Sequence, residues 1–102
     1  MAHLRKIVDG ATSGDNEIIA AVANRRIVVT SLFIVSESTS TVRFESGAGG
    51  TALTGQMKGA AGAAVVLPYN AKGWFQTAAG ANLNMELSGA TSVDGGLTYR
   101  LA

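Results

Sequence analysis

The sequence has no cysteine, which excludes disulfides, thiolate metal sites and cysteine nucleophiles. Secreted domains of this size commonly rely on disulfide staples. Their lack points to folding in a reducing cytoplasm, with stability supplemented by association. Histidine is reduced to one residue, His3, near the start of the chain. Acyl-transfer triads need an oriented base, and no partner is visible to orient His3, so exposure or a subunit contact is its expected role. Charge is scarce: 15% of residues are charged, against about 25% in ordinary soluble chains. A surface so poor in charge is either neutral and rich in Ser, Thr and Ala, or covered by other protein, and identical neighbours are the simplest cover. Neither sign dominates. With 8 basic and 7 acidic residues, no basic stripe forms, and Arg5-Lys6 and Arg25-Arg26 read as strand ends or turns. This disfavours nucleic-acid binding. The longest apolar run, residues 27–35, is far too short to span a bilayer and is interrupted by Thr30 and Ser31. The first six residues do not read as a signal peptide.

What the sequence does have is glycine, 13 in 102 residues, spread from Gly10 to Gly96. Turns at this density leave room for short strands and little for helices. Thr41-Val-Arg-Phe-Glu45 alternates apolar and polar, as do Leu83-Asn-Met-Glu-Leu87 and Leu97-Thr-Tyr-Arg-Leu101, each a half-buried strand. Residues 27–35 are β-branched and nearly continuous, so they predict a central strand buried on both faces, with a bulge near Thr30 and Ser31. Residues 64–67 form a strand stopped by Pro68. Residues 4–8, 17–22 and 73–76 supply three more. Over residues 17–23 an alanine-containing helix capped by Asp15 competes, but Ile18, Ile19 and Val22 favour a strand. The expectation is a single all-β domain over 1–102, a jelly-roll-like β-sandwich of about eight antiparallel strands, with 1–9 an N-terminal arm or an edge strand. The Gly/Ala-rich stretch 47–64 is expected to be a hairpin or long loop.

Motifs that would carry chemistry are missing. No serine lies in a Gly-X-Ser-X-Gly elbow. The seven acids are expected on alternating solvent faces, leaving no cleft for a carboxylate pair. Asp15-Asn16-Glu17 offers oxygen ligands but too few for calcium, and reads as a solvated turn. Gly47-Ala-Gly-Gly-Thr51 is followed by an extended stretch and lacks the helix and lysine of a phosphate loop. Trp74 and Phe75, with Tyr69 near, could form a stacking platform. The simpler reading places one of Trp74 and Phe75 in the core and its neighbour on the opposite face or at an interface. No catalytic residue, metal ligand or cofactor is assigned, and the protein is not expected to be an enzyme.

Several segments, however, form a pattern together: residues 41–55 (TVRFESGAGGTALTG), Leu67-Pro-Tyr-Asn70, Gly73-Trp-Phe-Gln-Thr-Ala-Ala-Gly80, Leu83-Asn-Met-Glu-Leu-Ser-Gly89 and Val93-Asp-Gly-Gly-Leu-Thr-Tyr99. Over residues 27–99 this resembles the small jelly-roll capsid-decoration, or cement, proteins of tailed bacteriophages and prophages. The resemblance implies a virion protein assembled in the host cytoplasm, a homotrimer that binds the major capsid protein and stabilises the assembled head, with no membrane or nucleic-acid partner. Contact residues expected on this basis are His3, Leu4 and Arg5 in the N-terminal segment, and Tyr69 and Trp74. A tail or baseplate subunit that contacts the host surface is the alternative, followed by a carbohydrate-binding module.

Overall fold

The computed structural model describes residues 4–47 and 49–102; His3 lies outside them. The described residues form strands and turns with no helix. Ten strands are present: β1 (Leu4–Gly10), β2 (Gly14–Ile19), β3 (Ile27–Ser36), β4 (Ser40–Ser46), β5 (Thr51–Ala52), β6 (Met57–Gly59), β7 (Ala64–Leu67), β8 (Phe75–Gln76), β9 (Leu83–Leu87) and β10 (Val93–Leu101). They pair into two antiparallel sheets. In sheet A the order is β1-β10-β3, with β7 and β8 both on the far edge of β3. In sheet B the order is β2-β9-β4, with β5 and β6 both on the far edge of β4.

The pairing is that of one long hairpin wound into two layers. β1 pairs with β10, β2 with β9, β3 with β7 and β8, and β4 with β5 and β6. Each of the last two partnerships is a single strand interrupted midway. Residues 64–76 run along β3, meeting Leu32 to Val35 and then Val28 and Val29. Residues 51–59 run likewise along β4, and the Leu53 N–H donates to the Phe44 carbonyl across the break (2.8 Å). With these halves joined the count is eight strands, and the order is that of a jelly roll. The Gly/Ala-rich stretch is thus the broken edge strand of sheet B.

The core lies between the sheets. Val8, Ile27, Val29, Leu32, Ile34, Val93 and Leu97 from sheet A meet Ile18, Val42, Phe44, Leu83, Met85 and Leu87 from sheet B. Phe75 stacks on Phe44 with ring centroids 5.3 Å apart. Period-two alternation explains these positions. The bulge is present: Thr98 pairs with Ser31 and Tyr99 with Val29, which leaves Thr30 as the extra residue. The Thr98 hydroxyl fills the irregularity, 2.8 Å from that of Thr30 and 2.6 Å from that of Ser31.

Three expectations need correction. Residues 27–35 are buried on both faces only as far as Thr30; beyond it Phe33 and Val35 are exposed. The second strand is displaced towards the N-terminus: Asp15, Asn16 and Glu17 sit within β2, and the strand stops at Ile19. The triplet is therefore ladder and not turn, because its partner β9 offers backbone from Leu83 to Leu87. Finally, Glu45 is buried and not on a solvent face.

Candidate functional site

The two outer faces of the sandwich differ in chemistry. On sheet B, Asp15, Glu86 and Arg43 stand in one cross-strand row, with Glu45 one step along β4. The Arg43 Nη2 donates to Glu45 Oε2 and to Glu86 Oε1, each at 2.8 Å. Glu45 is only 1% exposed, and its Oε1 has no hydrogen-bond partner among the described residues. Burial, followed by the adjacent Asp15 carboxyl, raises the Glu45 pKa; Arg43 opposes the rise, and the charges of Asp15 and Glu86 add to it. In the neighbouring row Asn84 donates to Asn82 (2.9 Å), and Asn82 donates to Glu17 (2.9 Å).

Asp15, Glu45 and Glu86 each place a carboxylate oxygen within 4.8 Å of the others. These are the residues that could hold a hard cation. Calcium needs six to eight oxygen ligands, and Arg43 already takes one lone pair from each glutamate. The array reads as an ion-pair network in which one guanidinium binds two glutamates, with Asp15 beside them. Sequence alternation placed Arg43 and Glu45 on the same outer face, but the meeting with Asp15 and Glu86 depends on strand order, which no local signal reveals.

The outer face of sheet A is apolar. One cross-strand row reads Ile7, Gly96, Phe33, Val66 over β1, β10, β3 and β7. Ile7 is 78% exposed, Val66 67% and Phe33 57%. The next row is Asp9, Asp94, Val35, Ala64, and the row on the other side begins Arg5, Thr98, Ser31. A shallow hollow over β10 is lined by Arg5, Ile7, Phe33, Gly96 and Thr98. Its floor is Gly96, the outward-facing one of two successive glycines in β10. A Cβ on Gly95 would lie 1.8 Å from the Phe33 carbonyl oxygen, so a close strand approach demands that glycine. The Phe33 ring leans over Gly96, where a Cβ would stand 3.1 Å from its Cζ.

Of the residues singled out from sequence, Leu4 and Arg5 lie on β1, the edge strand of sheet A, and both are exposed. Arg5 borders the apolar row, a position that strand register alone gives. Tyr69 and Trp74 lie apart from them, in the loop 68–74 that joins β7 to β8. That loop is fixed to β3 by Asn70 N–H to the Thr30 carbonyl and Trp74 N–H to the Val29 carbonyl, both 2.8 Å. The Trp74 indole N–H donates to the Pro68 carbonyl at 2.7 Å, and Trp74 is 43% exposed while its neighbour Phe75 packs on the core. The structure thus gives two separate surfaces, the β1–β7 face and the 68–74 loop. Sequence reasoning missed Ile7, Val66 and the exposure of Phe33. The signal was available in part: 27–35 carries more apolar residues than one inward face can use.

No family model, curated protein or solved structure matches this chain.

Proposed function

We propose that the protein is a non-enzymatic structural subunit of a phage virion, a decoration or cement protein that binds the assembled head and stabilises it through oligomeric, non-covalent contacts. The observation that carries this reading is the apolar outer face of sheet A. A row of large exposed side chains on one face of a small sandwich is costly in water unless protein covers it. The jelly-roll order and the scarcity of charge agree with a subunit whose surface is largely contact. The resemblance over residues 27–99 supplies the virion and the head as location, and trimers as the oligomer. Several weak contacts per oligomer become effective together. A protein that binds only the assembled lattice stabilises it by mass action. The test is to add purified protein to mature capsids that lack it, then measure co-sedimentation and capsid melting. Saturable binding with a raised melting temperature is expected; no binding and unchanged melting refutes the reading.

A second reading keeps the virion and moves the protein to the tail or baseplate, where the loop 68–74 meets a host-surface glycan. The exposed Trp74 indole, held to the Pro68 carbonyl, favours it, since a fixed aromatic face suits sugar stacking. Copy number per virion separates the two: hundreds indicate the shell, a few dozen or fewer the tail.

A further inference from the structure

The outer face of sheet A carries charge as well as apolar surface, and the signs are segregated. Arg5 lies on one side of the Ile7–Gly96–Phe33–Val66 row, while Asp9 and Asp94 lie on the other. Asp9 and Asp94 are directly in register across β1 and β10. Like charges placed opposite each other in a sheet are destabilising. Among the described residues neither aspartate, nor Arg5, makes an ion pair.

We infer that this face is covered by a second copy of the same chain, packed face to face about a twofold axis that runs along the apolar row. Such an axis reverses strand direction between the copies. It lays the apolar row on its own image and brings Arg5 of each copy over Asp9 and Asp94 of the other. The interface is then isologous, with every contact made twice. A partner of uniform charge would leave one end of the face opposed by its own sign, whereas a second copy satisfies both ends. The size fits as well. The molecule measures 36 × 26 × 20 Å, so its broad face has room for the roughly 800 Å² per partner of a standard interface. The pairing rests on reading this face as an assembly surface. It assigns this face to contact between copies, twofold where the resemblance implies trimers, and leaves contact with the head to the loop 68–74 and the edges of sheet B.

The test is sedimentation equilibrium of the full chain over the micromolar range, with circular dichroism as a check on folding. Dimers are expected. Phe33→Lys, at an exposed site, is expected to raise the dimer Kd by about 100-fold or more. Arg5→Asp and Asp9→Arg are each expected to raise it about tenfold. The double variant Arg5→Asp/Asp9→Arg is expected to recover most of the loss, because the swapped charges meet again across the axis. A wild-type chain that stays monomeric overturns the inference, as does a dimer indifferent to Phe33→Lys or a double variant no tighter than either single. Capsid binding is scored separately. A monomer that still binds capsids overturns the pairing and leaves the virion role standing. A wild-type dimer that Phe33→Lys dissolves but that binds no capsid supports the pairing and refutes the head-decoration role.

Discussion

Replacing Glu45 with glutamine should stabilise the protein at neutral pH, although it removes one partner of an ion pair. Glu45 is 1% exposed and lies beside two more carboxylates, Asp15 and Glu86, with a single guanidinium to balance them. Its Oε2 accepts from Arg43, while its Oε1 is buried without a donor. Glutamine keeps the shape. Its carbonyl oxygen retains the Arg43 bond, and its amide supplies a donor to the Asp15 side. The exchange gives up part of one charge-assisted bond and gains a neutral-to-carboxylate bond, while removing the repulsion of Glu45 with Asp15 and Glu86. A net hydrogen bond is worth about 1 kcal/mol. The expected gain is therefore roughly 1 kcal/mol, which in a domain of this size corresponds to about 4 °C or more in Tm.

The pH dependence makes the reasoning refutable. Glu45 titrates near its ordinary 4.5 in the unfolded chain and above that when folded, with burial as the first cause and the Asp15 carboxyl as the second. Between those two values the folded state binds more protons than the unfolded state, so wild-type stability falls as pH rises through the window. The penalty is fully present above the folded pKa and relieved below 4.5. Glutamine does not titrate. The advantage of E45Q should therefore be present at pH 7 and shrink as the wild-type residue becomes protonated. The assay is calorimetric Tm for both proteins from pH 7 down to about pH 4. A less stable E45Q at pH 7, with a deficit independent of pH, would show that the Arg43–Glu45 pair is a net stabiliser and that the crowding argument is wrong.

Three further outcomes are expected. Phe44→Ala removes a fully buried ring stacked on Phe75 and should cost about 3–5 kcal/mol, read as a lower urea midpoint. Gly95→Ala should destabilise more than a glycine exchange into open space such as Gly89→Ala. Its Cβ would meet the Phe33 carbonyl oxygen of the β3–β10 ladder, whereas nothing lies within 4 Å at Gly89; hydrogen exchange should speed up along both strands. Asn16→Ala should cost about 1–3 kcal/mol in thermal unfolding, since the Asn16 amide donates to the carbonyls of Thr12, Gly14 and Met85 and its Oδ1 accepts from the Thr12 N–H.

The β class was legible because period two is local: Val42 and Phe44, or Leu83, Met85 and Leu87, announce one face of a strand without knowledge of a partner. The bulge at Thr30 was legible for the same reason, as two hydroxyl residues inside an apolar run. The strand break between Leu67 and Phe75 was marked by Pro68 and Gly73. What stayed hidden depends on pairs distant in sequence. Asp15 and Glu86 meet only because β2 lies beside β9, and Glu45 is buried by neighbours from other strands. Glu17 to Val22 misled because Ile18, Ile19 and Val22 are apolar together, although β9 provides a partner only as far as Ile19. Ile7 and Val66 are single apolar residues on short strands. Only their register with Phe33 makes them a surface.

That register also explains why one apolar run has two fates. Val28 and Phe33 both point outward from β3, yet Val28 is buried and Phe33 is not. The difference is the loop 68–74. It lies against β3 at Val29 and Thr30, and it brings Gly73 so near that a Cβ there would stand 2.3 Å from Val28 Cγ1. The chain therefore covers its own outer face at one end of β3 and stops short of Phe33, where the broken strand resumes as β7 and pairs in the plane of the sheet. Sheet B has no comparable demand, because its outer face is polar and Arg43 binds its acids. Of the two outer faces, that of sheet A is the one whose uncovered part is apolar, and it bears the opposite charges a second copy would match. Covering it should make the molecule more stable as an assembly than as a monomer, which a concentration-dependent Tm would register. A Tm that does not change with concentration in the wild type would mean that water, and not protein, covers Phe33.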